Sequence, residues 1–122
     1  MTAPTKINLN QKFSLFNDHW SPKIIGELNE NFIKLVKFKG EFVWHSHQDE
    51  DELFIVIKGK LTIRFRDCDL IANPGEIILI PKGVEHCPCV EEEVWAMVIE
   101  PKTVVNTSDV DDVKTVKNLE RI

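Results

Sequence analysis

Long apolar runs are scarce in this chain. Runs such as 53–57 and 77–80 fall far short of the roughly 20 residues needed to cross a bilayer. Residues 1–6 lack the apolar core of a secretory signal, so a cytoplasmic address is the default expectation. Basic charge is also short: 15 Lys and Arg stand against 20 Asp and Glu, a formal net charge of −5. A nucleic-acid surface needs clustered cations to displace counterions, and an anionic membrane attracts the same feature. Neither partner is expected. The cysteines are few and odd in number. Cys68, Cys87 and Cys89 have no framework spacing and suit reduced thiols. Long helical periodicity, tandem repeats, low-complexity tracts and interdomain linkers are absent too.

What remains is an ordinary globular composition, 43% hydrophobic and 29% charged in 122 residues. A chain of this size buries roughly two-thirds of the surface its unfolded form exposes, so it needs no staple. One domain over 1–122 is expected, with a core at about 32–100 and a polar tail at 103–122. Strand signals dominate that core. Residues 60–66 alternate cleanly, with Leu61, Ile63 and Phe65 on one face and Thr62, Arg64 and Arg66 on the other. Further strands are expected at 32–39, 41–47, 53–58, 76–80 and 94–99, punctuated by Gly40, Gly59, the turn 73–75 and the turn 81–83. Short strands at this spacing predict an all-β sandwich or barrel. The one early helix expected is 9–16. The tail from 106 onward reads as an arm, an edge strand or a frayed end.

The chemistry concentrates in two short blocks. Of four histidines, His45 and His47 are i and i+2 on a predicted strand. Their side chains then leave one face about 6.5–7 Å apart, and two imidazoles at that separation can lean onto one ion. Glu52 opens the next strand and can swing beside the pair, while His86 arrives from a later segment beyond the 81–83 turn. Three imidazoles and one carboxylate suit a first-row divalent metal without selecting among iron, manganese, zinc, nickel, cobalt and copper. Taken alone, a His-X-His pair is more often two surface residues, and 48–52 alone would be a solvated acidic loop. The joint pattern changes the balance.

Gly40…His45-Ser-His47, four residues, Glu52, six residues and Gly59 together resemble the first motif of the cupin superfamily. Gly75, five residues, then Pro81-Lys-Gly83-Val-Glu-His86 resembles the second, and the short spacing between the motifs is similar to that of small prokaryotic cupins. Two positions depart from the pattern: Gly40 lies one residue closer to His45, and Val90 stands where Asn is frequent. The resemblance implies a double-stranded β-helix, or jelly-roll barrel, with the metal in its mouth and His45, His47, Glu52 and His86 as ligands. By parity Val43, Phe54 and Val56 would share the metal's side as an apolar wall. Phe42, Trp44, Leu53, Ile55 and Ile57 would face outward, and a strand apolar on both faces must be covered twice. A second layer or a homodimer partner is therefore expected.

Other residues carry two readings. Glu50 and Asp51 could orient a ligand imidazole, though solvated loop charge is commoner. Cys87 and Cys89 could sit near a metal, though inert buried thiols are commoner. Trp95 and Met97 could line the pocket, but core packing is the safer assignment. His19 reads as a surface or dimer contact, and Lys82 as an exposed turn residue that could attract an anion. No catalytic group beyond the ligands is evident. The functions in view are a metal-dependent dioxygenase, isomerase or lyase acting on a small organic substrate, or a non-enzymatic module binding a small ligand or a metal. Similarity to sugar-phosphate (mannose-6-phosphate) isomerase cupins carries little weight, because phosphosugars want inward Arg or Lys and the expected metal face is apolar. That objection would lapse if Thr62, Arg64 and Arg66 lined the barrel.

Overall fold

Polar residues that close turns and apolar residues that alternate between them set most of the element boundaries. The computed structural model describes residues 3–108, 110 and 112–122. A short helix, α1 (Leu9–Phe13), starts at Asn8, whose Oδ1 accepts from the Gln11 N–H at 3.0 Å and satisfies a donor the first turn leaves open. It is shorter than the 9–16 read from the sequence, because Ser14 already closes it. Eight strands follow: β1 (Lys23–Leu28), β2 (Asn31–Glu41), β3 (Glu52–Lys58), β4 (Leu61–Phe65), β5 (Asp69–Ala72), β6 (Ile77–Ile80), β7 (His86–Pro101) and β8 (Glu120–Arg121).

β7 organises the barrel. Its long C-terminal part lies between β2 and β3, and its start pairs with β4. β6 joins the far side of β3, β5 pairs with β4, and β1 pairs with β2. The antiparallel sheet curls into the expected jelly roll. Gly59, between β3 and β4, has φ +87°, and a Cβ there would lie 2.7 Å from the Glu93 carbonyl oxygen. Only glycine fits that crossing without strain.

Two apolar cores result. The inner one, inside the barrel, includes Phe38, Phe54, Val56, Leu61, Ile63, Val94 and Ala96, all buried. Phe54 and Val56 therefore face inward as parity implied, and Val43 packs against the same core. The outer core lies beneath α1, where Phe13 and Phe16 pack on Leu35, Ile57, Trp95 and Met97. Trp95 and Met97 thus pack in the core, away from the metal face. The helix supplies part of the second layer that the two-sided strands demand.

Several expectations need correction. β2 ends at Glu41, so His45 and His47 are not on a regular strand; His45 makes only an isolated bridge to His86. Freed from strand parity, Phe42 turns inward, is buried and stacks on Trp20 at 4.7 Å. β7 begins at His86 rather than near 94, and β1 and β5 were not anticipated. The tail is tied down rather than frayed. Val104 and Thr107 are buried, Asn106 Nδ2 donates to the Trp20 carbonyl at 3.2 Å, and β8 pairs with β1. Among the described residues no helix is long and apolar enough to cross a membrane.

Candidate metal centre

Three backbone connections bring the four residues together. His45 and His86 exchange N–H···O bonds of 3.0 and 2.9 Å, the Gly83 N–H donates to the His47 carbonyl at 2.8 Å, and Glu52 pairs with Ile80 at the start of β3. One donor atom from each of His45, His47, Glu52 and His86 lies within 4.8 Å of every other. Donors at about 2.0–2.2 Å around one ion stand at most roughly 4.4 Å apart, so a small adjustment fits the set to a metal. All four residues are buried.

The donor chemistry points the same way. His45 Nδ1 bonds the Val43 carbonyl and His86 Nδ1 the Val84 carbonyl, each at 2.9 Å. A carbonyl only accepts, so both Nδ1 atoms carry the hydrogen and both Nε2 atoms offer lone pairs inward. His86 Nε2 then faces Glu52 Oε1 at 2.9 Å, an acceptor against an acceptor unless a cation lies between them. A proton on His86 would relieve that contact alone. His47 Nε2 lies 3.0 Å from Glu52 Oε2 but makes no hydrogen bond, and among the described residues it is the one buried side-chain polar atom without a partner. Orphaned buried groups are rare and ask for an explanation. The four residues fit a divalent ion.

The site's electrostatics favour the ligand forms of His45 and Glu52, whereas His47 holds its proton more tightly and would release it to an ion. Burial, aided by His86, pulls the His45 imidazole down to about 4, so it is neutral near pH 7. Burial raises the Glu52 carboxyl, but the His47 and His86 imidazoles packed against it outweigh burial and hold Glu52 at about 2. Burial also lowers His47, yet the Glu52 carboxylate prevails and raises it.

Beside the cluster, a cavity of about 40 Å³ is walled by Trp20, Phe38, Phe42 and Phe54 and reached by His45 and Glu52. Trp20 stacks between Phe38 and Phe42 at 4.8 and 4.7 Å. The wall is not wholly apolar, as the sequence suggested. Lys34 and Glu100 also line it, both buried and joined at 2.8 Å. Parity held the signal that would have found them: Lys34 shares a face with Val36 and Phe38, and Glu100 with Ala96 and Val98. Thr62, Arg64 and Arg66 stay outside the barrel; Arg66 pairs with Glu85 at 3.1 Å and lies over Trp44. The objection to a phosphosugar therefore does not lapse through them.

The remaining candidates take structural positions. Asp51 accepts from the Lys82 backbone N–H at 2.9 Å, and Lys82 is exposed. Glu50 lines an outer groove beside His47. His19 pairs with Glu93 at 2.7 Å, 34% exposed. Cys87 is buried, and burial pushes its thiol up to about 11, an inert form; Cys89 lines a groove with Thr62 and Arg64.

Comparison with known proteins supplies the family. The Cupin domain family profile matches residues 34–105. The chain belongs to the cupin family. A cupin-2 domain containing protein from Shewanella frigidimarina is 57% identical, with TM-score 0.78, covering 79% of this chain and 94% of that one. Protein NMB1881 from Neisseria meningitidis is 29% identical, with TM-score 0.73, covering 80% of this cupin and all (100%) of that chain. The uncharacterized protein YdbB of Bacillus subtilis is 44% identical over 63 residues, 51% of this chain. The match spans little more than half, 56%, of that relative's length.

Proposed function

We propose that this cupin binds one divalent transition metal through His45, His47, Glu52 and His86 and uses it in chemistry on a small organic substrate. The observation that carries the reading is the unpartnered His47 Nε2 in a cluster whose lone pairs converge. The Val43 and Val84 carbonyls fix the His45 and His86 tautomers, and Glu52 supplies the one negative charge. The aromatic wall excludes water and orients a flat or compact ligand. A metal held there would supply Lewis acidity or, as iron, the redox chemistry of an oxygenase.

The narrow cavity favours a second reading, a module that binds a metal or small ligand without turnover. One experiment separates the two. Protein purified anaerobically is assayed for metal content, then for oxygen uptake and product formation with small aromatic and keto-acid substrates. Metal-dependent turnover, lost in His47→Ala, supports the enzyme. Tight ligand binding without turnover under any metal supports the module. Failure to retain any metal refutes the enzyme and the metal-binding module alike.

A homodimer accompanies this reading. On the outer face Leu53 pairs with Leu79 and Ile55 with Ile77, and Ile77 and Leu79 are 54% and 64% exposed. A partner's matching stripe would cover them, and light scattering in solution tests that mass. The free thiols suit a reducing compartment such as the cytoplasm.

A further inference from the structure

The ion pair inside the barrel is not needed to hold the barrel together. Lys34 on β2 donates from Nζ to Glu100 Oε1 on β7 at 2.8 Å, and both residues are at least 95% buried. Removing two charges from water offsets much of their attraction, and apolar residues of similar volume usually serve stability as well or better. The neighbours on that inner face, Val36, Phe38, Ala96 and Val98, are all apolar. The pair is also placed toward the metal ligands. β3 and β7 pair Phe54 with Val98, and continuing that register by two residues sets Glu100 opposite Glu52. Lys34, Glu100, Glu52 and His45 line one cavity.

The pair engages one ammonium hydrogen and one carboxylate oxygen. Lys34 keeps donors for an anionic oxygen, and Glu100 keeps its other oxygen for a hydroxyl hydrogen. Charge sets the ligand's sign. With a divalent ion, ionised Glu52 and the Lys34–Glu100 pair, the cavity carries one net positive charge, which a monoanion balances. Size sets its scale: 40 Å³ admits roughly three water-sized groups. We propose that the cavity takes a small monoanionic hydroxy acid, its carboxylate on the Lys34 ammonium and its hydroxyl donating to Glu100. This rests on the metal reading above and names the ligand class of the same site.

The test uses glycolate, acetate and ethylene glycol as probes on the cobalt(II)-loaded full chain, with visible absorption reporting ligand entry and elemental analysis reporting metal content. Wild-type protein is expected to bind glycolate at least about tenfold more tightly than acetate or the diol, the worth of one good hydrogen bond. In the double variant Lys34→Met/Glu100→Met, which leaves neither a buried charge nor an acceptor for the hydroxyl, the preference for glycolate over acetate falls to within about twofold with metal content unchanged. A preference that survives in the metal-replete double variant overturns the proposal, because the metal alone then selects the hydroxy acid. So does a wild-type protein that ranks the probes equally. If wild-type protein takes up no cobalt, the metal reading itself has failed and the ligand assignment falls with it. An unfolded double variant is replaced by Glu100→Met, which removes the acceptor alone, for which the same loss of preference is expected and its retention overturns the proposal.

Discussion

Acid should weaken the metal-free protein through one histidine in one pH window. Burial lowers His45 from 6.5 to about 4. Between those values the unfolded chain binds a proton at this position and the folded chain does not, so stability falls as pH drops through the window. At 1.36 kcal/mol per pH unit the loss is about 3 kcal/mol by pH 4, a large part of the roughly 5–15 kcal/mol typical of a domain. His47 and Glu52 leave this window clear, whereas burial and the Glu52 charge raise Glu100 above 4.5, so its proton uptake in the folded chain offsets part of the fall. His47 is raised, so its contribution is complete below 6.5 and is lost only as pH rises through its folded value. Glu52 is held at about 2, so its contribution is complete above 4.5 and disappears below that. The assay is urea unfolding of chelator-treated protein from pH 7 to 4.5. The midpoint should fall by roughly 1–2 M at the m-values of small domains, and His45→Gln, which cannot titrate, should flatten most of that slope. An equal slope in the variant, or none in wild-type protein, would refute the assignment.

Gly59→Ala meets the Glu93 carbonyl at 2.7 Å in a left-handed conformation and should lose about 2–3 kcal/mol in denaturant titrations; Gly75→Ala, with nothing within 4 Å, should lose about 1. Phe13 is fully buried and stacks on Trp95 at 4.6 Å, so Phe13→Ala should cost about 3–5 kcal/mol and loosen α1, seen as faster amide exchange in residues 9–13. Lys34→Met alone strands Glu100 and should cost about 3 kcal/mol, whereas adding Glu100→Gln should recover most of it in a double-mutant cycle.

The barrel was legible where period-two patterning is strong. Leu61, Ile63 and Phe65 identify β4, and the 53–58 run identifies β3, because neighbouring strands bury what the alternation offers. β1 escaped notice because Gly26 interrupts a run without alternation, and a bulge sits between Ile24 and Gly26. β5 has four residues and β8 two, too few to show a period. The convergence of His45, His47, Glu52 and His86 was legible from motif spacing, although the strand geometry used to explain it was wrong. The His45–His86 bridge, a long-range contact, does that work. Lys34 and Glu100 were hidden for a different reason. Charged residues on strands normally mark the solvent face, and these two turn inward only because each finds the other across β2 and β7.

The central claim is that three imidazole nitrogens and one carboxylate oxygen meet on a single ion. X-ray absorption at the metal edge of stoichiometrically loaded protein tests it most directly. The account predicts one metal per chain and a shell of nitrogen and oxygen at about 2.0–2.2 Å, with outer-shell scattering from three imidazoles that falls to two in His86→Ala. Substoichiometric metal, or a spectrum without imidazole scattering, would contradict it.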